Sequence, residues 1–181
     1  MIIGICGRSR SGKDTFADFL LKHLKNARKI SFATPLKDSM NTLFGFTCNK
    51  DEVDPFWKIK PRDAYIAFGT EVIRDRLGFF LNLPDKKCED FFIHRMKKEI
   101  MNMDKQDVLI IPDVRFQNEI NFIKLNGGKI VKIKRDGLKI LEHKSECPDS
   151  LSDVDYMFYN NGTIEELEDK VLYFKKHFLD N

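Results

Sequence analysis

No apolar run in this sequence approaches the length of about 20 residues that a helix needs to cross a bilayer. Cysteine is scarce and scattered: Cys6, Cys48, Cys88 and Cys147 show no CxxC spacing. That argues against a zinc site or a disulfide framework and for reduced thiols in a cytoplasm. The short apolar start lacks a basic leader and runs straight into a polar, glycine-rich turn, so it is not expected to be a signal peptide. There is no internal repeat, low-complexity tract or domain linker. Neither sign of charge dominates. The net charge of +3 is too small to argue for nucleic acid as a partner.

What is present fits an ordinary globular protein. With 33% charged and 42% hydrophobic residues, 181 residues suffice for one domain with a sizeable core. Charge is uneven along the chain. Residues 124–144 hold seven Lys or Arg against Asp136 and Glu142, whereas residues 146–169 hold eight Asp or Glu and no Lys or Arg. A solvated face is the simplest account of the basic stretch.

Ile2, Ile3, Ile5 and Cys6 form a nearly continuous apolar run, as in a strand buried on both faces of a parallel sheet. Phe16, Ala17, Phe19, Leu20, Leu21 and Leu24 then recur at helical spacing. Further strands are expected at Arg28–Phe32, Val108–Ile111, Lys129–Lys134 and Tyr156–Tyr159. Helices are expected from Pro35 to Phe44, from Pro61 to Leu77 with Gly78 as a stop, over 86–103, over 116–125, and from Thr163 to Phe178. Residues 45–60 read as irregular. Alternating strands and helices predict an α/β layered fold with a mostly parallel sheet.

Between the first strand and helix the chain reads GRSRSGKDT, matching G-x-x-x-x-G-K at Gly7, Gly12 and Lys13. Glycines there let backbone N–H groups converge on phosphate oxygens, and the helix N-terminus adds partial positive charge. Lys13 supplies a point charge to the transferable phosphates. Asp14 stands where a magnesium-binding hydroxyl is usual. It reads either as a hard oxygen ligand for Mg2+, direct or through water, or as a charge complementing the helix end. Thr15 still offers a hydroxyl. A base-reading Asn-Lys-x-Asp motif, as in GTPase switches, is lacking: Asn49-Lys50-Asp51-Glu52 fails at its fourth position and comes too early.

A second group, Ile111-Pro112-Asp113-Val114-Arg115, ends the 108–111 strand at the sheet edge where α/β folds bind ligands. Asp113 reads as a magnesium ligand or as the cap of the next helix. Arg115 would face a phosphate, oriented by Asn118 and Glu119, or those two lie on an exposed helix face.

SGKDTFADFL (11–20), PLKDSM (35–40), RDAYIAFGTEVIRDRLG (62–78), IIPDVRFQNEI (110–120), GGKIVKIKR (127–135), HKSE (143–146) and NNGTIEEL (160–167) together resemble the deoxynucleoside monophosphate kinases of tailed phages, a branch of the P-loop nucleoside monophosphate kinase fold. The chain is shorter than those enzymes, chiefly between 45 and 60. The resemblance implies a single P-loop kinase domain over 1–181. This would be a three-layer sandwich around a mostly parallel sheet, with a helical acceptor-binding region over about 35–105 and a lid over about 135–150. It implies ATP and Mg2+ as cofactors and a (deoxy)nucleoside monophosphate as acceptor. Gly7, Arg8, Ser9, Arg10, Ser11, Gly12, Lys13, Asp14 and Thr15 would hold the ATP phosphates, and Asn161, Gly162 and Thr163 would border the adenine. Lys37, Arg62, Thr70 and Arg74 would lie on the monophosphate side, and at α-helical spacing 62, 70 and 74 would share a face. Arg74 also reads as a surface ion pair with Asp75 or Glu71. Asp113 and Arg115 would sit between the nucleotides, Arg135 would begin the lid, and His143 to Glu146 would lie in or beside it. Asp14 and Asp113 are the metal candidates; Lys13, Arg115, Asp113 and Arg135 are the catalytic ones.

An acceptor phosphate with its second pKa near ~6 needs no strong general base. Two anions must be aligned instead, which suits a lysine and several arginines without a Ser–His–Asp set. Two alternatives stay open: another small-molecule P-loop kinase acting on dephospho-coenzyme A or phosphomevalonate, and a nucleotide-dependent nucleic-acid-binding module. No membrane partner is expected, nucleic acid is disfavoured, and a homodimer is left open. The expected location is the cytoplasm, that of a host if the chain is phage-encoded.

Overall fold

Five parallel strands lie in the order β2-β3-β1-β4-β5 in a computed structural model, which describes residues 1–84, 88–138 and 151–179. They are β1 (Ile2–Cys6), β2 (Ala27–Lys29), β3 (Val108–Val114), β4 (Lys129–Lys134) and β5 (Tyr156–Tyr159). The helices are α1 (Lys13–His23), α2 (Thr34–Phe44), α3 (Pro61–Ile66), α4 (Asp75–Phe80), α5 (Phe91–Met101), α6 (Gln117–Leu125) and α7 (Ile164–Phe178). A π-helical segment, Ala67–Arg74, joins α3 to α4. The chain forms two compact units, Met1–Ser31 with Ile100–Asn181, and Phe32–Glu99.

The first unit is layered around β1, every residue of which is buried. Period-two alternation sends Ile3 and Ile5 to one face, with Ile110, Val131 and Ile133 of the neighbouring strands. There they meet Phe16, Ala17 and Leu20 of α1 and Leu167, Val171 and Phe174 of α7. Each large apolar side chain buried in this way stabilises the fold by about 1.5–3 kcal/mol. The opposite face carries α6. A Cβ on Gly4 of β1 would come within 2.7 Å of Ile123 Cδ1, so the missing side chain lets α6 approach the central strand. The α/β class and mostly parallel sheet expected from the sequence are what the structure contains.

Several boundaries differ from those expected. β3 runs on to Val114 instead of stopping at Ile111. Gly4 pairs with Ile111 but Cys6 with Val114, so β3 carries an extra residue there, at Pro112 and Asp113. Pro112 cannot donate to the ladder, which favours a break in register at that point. β2 is shorter than Arg28–Phe32, because the chain leaves this unit after Ser31. The helix expected over 86–103 spans Phe91–Met101, preceded by a turn in which Phe91 N–H bonds the Cys88 carbonyl; residues 85–87 lie outside the described residues. The single α-helix expected over 61–77 is three segments, and Gly78 lies buried inside α4 instead of ending it. In the π segment, bonding widens from i→i+4 to i→i+5. The whole-turn spacing assumed for 62, 70 and 74 therefore does not apply.

In the second unit, irregular residues 45–60 are organised by buried Asp54. Its Oδ1 accepts the N–H groups of Phe56 and Trp57, each at 2.9 Å. The N–H of Trp57 above all, then that of Phe56, holds the Asp54 carboxyl below its ordinary range against desolvation. Trp57 Nε1 donates to the Phe44 carbonyl at 2.7 Å, and Phe44 packs against Phe46, Trp57 and Phe68. Tyr65 packs on Phe46 and donates its hydroxyl to Asn41. Trp57, Tyr65 and Phe68 thus pack among other rings.

Asp155 fastens the start of β5. It accepts from Lys124 Nζ at 2.6 Å and from Ile130 N–H at 2.7 Å. Burial works against its charge, but the Lys124 bond, the Ile130 N–H and the charges of Lys124 and Lys129 outweigh it and hold the carboxyl below its ordinary value. Such a group contributes stability above its unfolded pKa of about 3.9 and loses it as pH falls through the lower folded value. Asp155→Asn should lower Tm at pH 7 by about 2–4 °C per kcal/mol lost. The difference from wild type should shrink in melts near pH 3.

Candidate functional site

The central position of β1 dictates where the glycine-rich loop emerges. Gly7 has φ 148°, and a Cβ there would meet the Ile133 carbonyl oxygen at 2.3 Å. Only glycine lets the chain turn off the strand so close to β4. Arg10 adopts φ 65°, a left-handed conformation that costs a non-glycine residue roughly 1–2 kcal/mol. The loop closes with Ser11 N–H on the Arg8 carbonyl at 3.2 Å. Gly12, at φ 96°, is the N-cap of α1, and Lys13 is its first residue.

Lys13 is 8% exposed, and its Nζ donates to the Arg8 carbonyl at 2.6 Å. The ammonium thus lies back across the loop, tying its start to its end. Ser11 Oγ is buried without a hydrogen-bond partner among the described residues. Asp14 is exposed in the first turn of α1.

Asn160, just past β5, was not among the residues expected from the sequence. It is 6% exposed, and its Nδ2 donates to the Ser11 carbonyl at 2.9 Å. A Cβ on Gly12 would meet that same Nδ2 at 2.3 Å. The contact fixes the phosphate-loop end of α1 against the end of β5. Strand alternation was the available signal, since 156, 158 and 160 share a parity and Tyr156 and Phe158 pack on the core. Asn161 instead turns to the chain after β4. Its Oδ1 accepts Asp136 N–H at 2.9 Å, and its Nδ2 donates to Asp136 Oδ2 at 2.6 Å. Thr163 caps α7 by accepting Glu166 N–H at 3.3 Å.

A cavity of ≈ 510 Å³ opens beside the loop. Arg10, Gly12, Lys13, Asp14 and Thr15 line it from the loop side; Arg135, Asn160, Gly162 and Thr163 line it from the other, with Ile164 and Leu167 as its apolar part. Gly7, Arg8 and Arg135 line a second cavity of ≈ 300 Å³. Asp113 and Arg115 flank Val114, which pairs with Cys6 immediately before Gly7. Both are therefore brought to the C-terminal sheet edge next to the loop. Asp113 lies within β3 and α6 starts after Phe116, so Asp113 does not cap that helix. Glu119, 1% exposed, accepts the N–H groups of Arg115 at 2.7 Å and Phe116 at 3.2 Å. It holds the Arg115 backbone, and Asn118 accepts Glu119 N–H at 3.0 Å.

The residues assigned to the monophosphate side lie in the second unit. Arg62 makes a two-pronged pair with Asp51, Nε at 2.5 Å and a terminal nitrogen at 3.1 Å. Thr70 and Arg74 are buried in the π segment. Arg74 donates to the Glu89 carbonyl at 2.7 Å and lies 4.8 Å from the Phe92 ring centroid. Lys37 is half-buried on α2. The expected lid lies, beyond residue 138, outside the described residues up to 150; His143 to Glu146 fall there.

A model of the phosphomevalonate kinase family matches residues 5–129. A putative deoxynucleotide monophosphate kinase of Acanthamoeba polyphaga mimivirus is 33% identical over 186 aligned positions, covering 95% of this chain and 94% of its own. A dephospho-CoA kinase structure from Campylobacter jejuni covers 97% of this chain and 95% of its own, with TM-score 0.53 and 14% identity, a likeness of fold.

The Asn160 contact is testable. Asn160→Ala leaves the buried Ser11 carbonyl without its donor, at about 1–3 kcal/mol. Nucleotide affinity, measured by calorimetry with a non-hydrolysable ATP analogue, should fall roughly tenfold or more, because the loop loses its brace. Asn161→Ala should have a smaller effect.

Proposed function

The chain belongs to the family of P-loop kinases that takes in the phosphomevalonate kinase model and the mimivirus relative, and on that premise we propose that it phosphorylates deoxynucleoside monophosphates with ATP. One observation carries the reading: likeness to a putative deoxynucleotide monophosphate kinase along nearly the whole of both chains. The formed phosphate loop, with Lys13 at a cavity beside it, supports it.

ATP would lie in the ≈ 510 Å³ cavity, its phosphates over residues 7–15 and its adenine toward Gly162, Thr163 and the apolar Ile164 and Leu167. Lys13 would exchange the Arg8 carbonyl for a phosphate oxygen of far greater charge. The donor set suits Mg2+ bound by one or two carboxylates and several waters, with Asp14 and Asp113 as the protein ligands. Mg2+ would neutralise charge on the polyphosphate. No group of three or more His, Cys, Asp or Glu that could hold a metal occurs among the described residues, as such a water-rich site would not need one.

The acceptor is itself an anion, so the chain's task is to align two phosphates and offset their repulsion. Arg115, its backbone braced by Glu119, and Arg135 would bear on the transferring group. Lys37, Arg62, Thr70 and Arg74 would hold the acceptor. The Glu89 carbonyl and the Phe92 ring keep the Arg74 guanidinium in a set position, as preorganised phosphate binding requires. The family match over residues 5–129 favours a second reading, transfer to another small phosphorylated molecule such as phosphomevalonate.

ADP release measured with deoxy- and ribonucleoside monophosphates, phosphomevalonate and dephospho-coenzyme A separates the two. The first reading predicts turnover with one or more deoxynucleoside monophosphates. Turnover only with the other acceptors would overturn it. Lys13→Ala should lower that turnover by at least about 10²-fold with Tm little changed. Near-normal turnover in the folded variant would remove the loop from the donor site.

Asp14 gives a separate test. If it holds magnesium, Asn in its place keeps the shape but loses the charge. Asp14→Asn should then need more Mg2+ for half-maximal rate and recover partly as Mg2+ rises. If Asp14 only complements the helix end, the magnesium curves should superimpose and stability should fall by about 0.3–1 kcal/mol.

A further inference from the structure

The extra residue in β3 decides which way the end of that strand points. Ile110 packs on the α1 and α7 face of the sheet. Ile111 pairs with Gly4, where a Cβ would meet Ile123 of α6. Strict alternation from there would put Asp113 and Arg115 beneath α6 and Val114 on the α1 side. The register is different. Val114 pairs with Cys6, and its Cγ2 lies 3.1 Å from where a Cβ of Gly4 would stand, so Val114 belongs to the α6 face. Pro112 and Asp113 therefore stand together opposite Ile5, two residues against one. The bulge turns Asp113, and by alternation from Val114 also Arg115, to the face on which the phosphate loop enters α1.

The register of β1 and β3 ends at Val114. The next two backbone N–H groups, those of Arg115 and Phe116, both go to one atom, Oε2 of Glu119, at 2.7 and 3.2 Å. Glu119 is the third residue of α6 and is 1% exposed. A glutamate at that position commonly bonds the N–H of the capping residue, here Phe116. The reach to Arg115, one residue further out, is the addition. Fully buried Ile120 and Ile123 seat α6 on the sheet. The helix that covers one face thus fixes the chain at the point where Arg115 leaves for the other.

We propose that Glu119 is a positioning residue for phosphoryl transfer, whose carboxylate locks the phase set by the bulge and so holds Arg115 on the loop face. It acts through Arg115 and not on a substrate. The proposal rests on the reading that Arg115 bears on the transferring phosphate. A charge aimed at a transition state counts only where it is held in place beforehand. A displacement of about 1 Å can cost about 10²-fold in rate.

The test is a double-mutant cycle on the full chain, with ATP, Mg2+ and whichever phosphorylated acceptor the wild type turns over. Calorimetric stoichiometry with a non-hydrolysable ATP analogue counts the competent molecules, so kcat is expressed per competent chain. Glu119→Ala should lower kcat at least about tenfold and leave the KM for ATP within about twofold. In an Arg115→Ala background the same change should cost less than about twofold, because the residue it acts through is gone. Glu119→Gln keeps an acceptor oxygen at the same reach and should retain most of the rate. Asp155→Asn, altered at the opposite edge of the sheet, is the control for mere destabilisation: its Tm should fall with kcat unchanged. Should Glu119→Ala fail to fold, Glu119→Asp, whose oxygens are drawn back by one methylene, replaces it in the cycle. Full additivity with Arg115→Ala, or an unchanged kcat in folded Glu119→Ala, would overturn the proposal. Near-normal kcat in Arg115→Ala would remove Arg115 from the site and the proposal with it. Turnover with another acceptor but with no deoxynucleoside monophosphate would sink the substrate reading alone, and the cycle would still decide the role of Glu119.

Discussion

Everything in the candidate site depends on where β1 ends. The strand has a partner on each edge and helices on both faces, so neither its register nor its depth can drift without exposing Ile3 and Ile5. A slip of one residue would turn both isoleucines to the wrong face. The core therefore sets the exit of the loop at Gly7, and the neighbouring strands set what meets it. Val114 of β3 arrives beside Cys6 on one edge and Lys132 of β4 on the other. The site is a consequence of a buried parallel sheet whose C-terminal edge collects polar side chains from several strands.

Charge at that edge is partitioned. Carboxylates there are braced or bonded: Glu119 takes two backbone N–H groups and Asp136 is held by Asn161. Lys13 rests on a carbonyl, and the cavities beside the loop are lined by Arg8, Arg10, Lys132, Lys134 and Arg135. Part of the basic stretch at 124–144, which composition alone reads as a solvated face, thus lines cavities. Chain segments distant in sequence bring these five cationic side chains to the two cavities.

In the second unit, pairing satisfies groups that a linear reading leaves unassigned. Asp54 orders an irregular segment by accepting two N–H groups, and Asp51 engages Arg62. Arg74, buried, donates to the Glu89 carbonyl and lies against the Phe92 ring. A π segment carries both Thr70 and Arg74. It changes the angular step between residues, so faces counted at 3.6 per turn no longer coincide.

The sequence by itself determined the elements whose signal is local. Ile2 to Cys6 read as a doubly buried strand, the glycines and Lys13 as a loop before a helix, and Asp113-Val114-Arg115 as a group at the end of the 108–111 strand. Each follows from side-chain period or backbone freedom within a few residues. What only the tertiary structure decided rests on contacts between distant segments. Asn160, not Asn161, meets the phosphate loop because β5's phase against the core picks one of two adjacent amides. β3 extends through Pro112 because β1 still offers pairing beyond it. Lys132 is buried at a cavity because β4 has a partner on each side. A one-dimensional pattern carries periods and turns. It does not carry register, and register decides which polar side chains reach the sheet edge together.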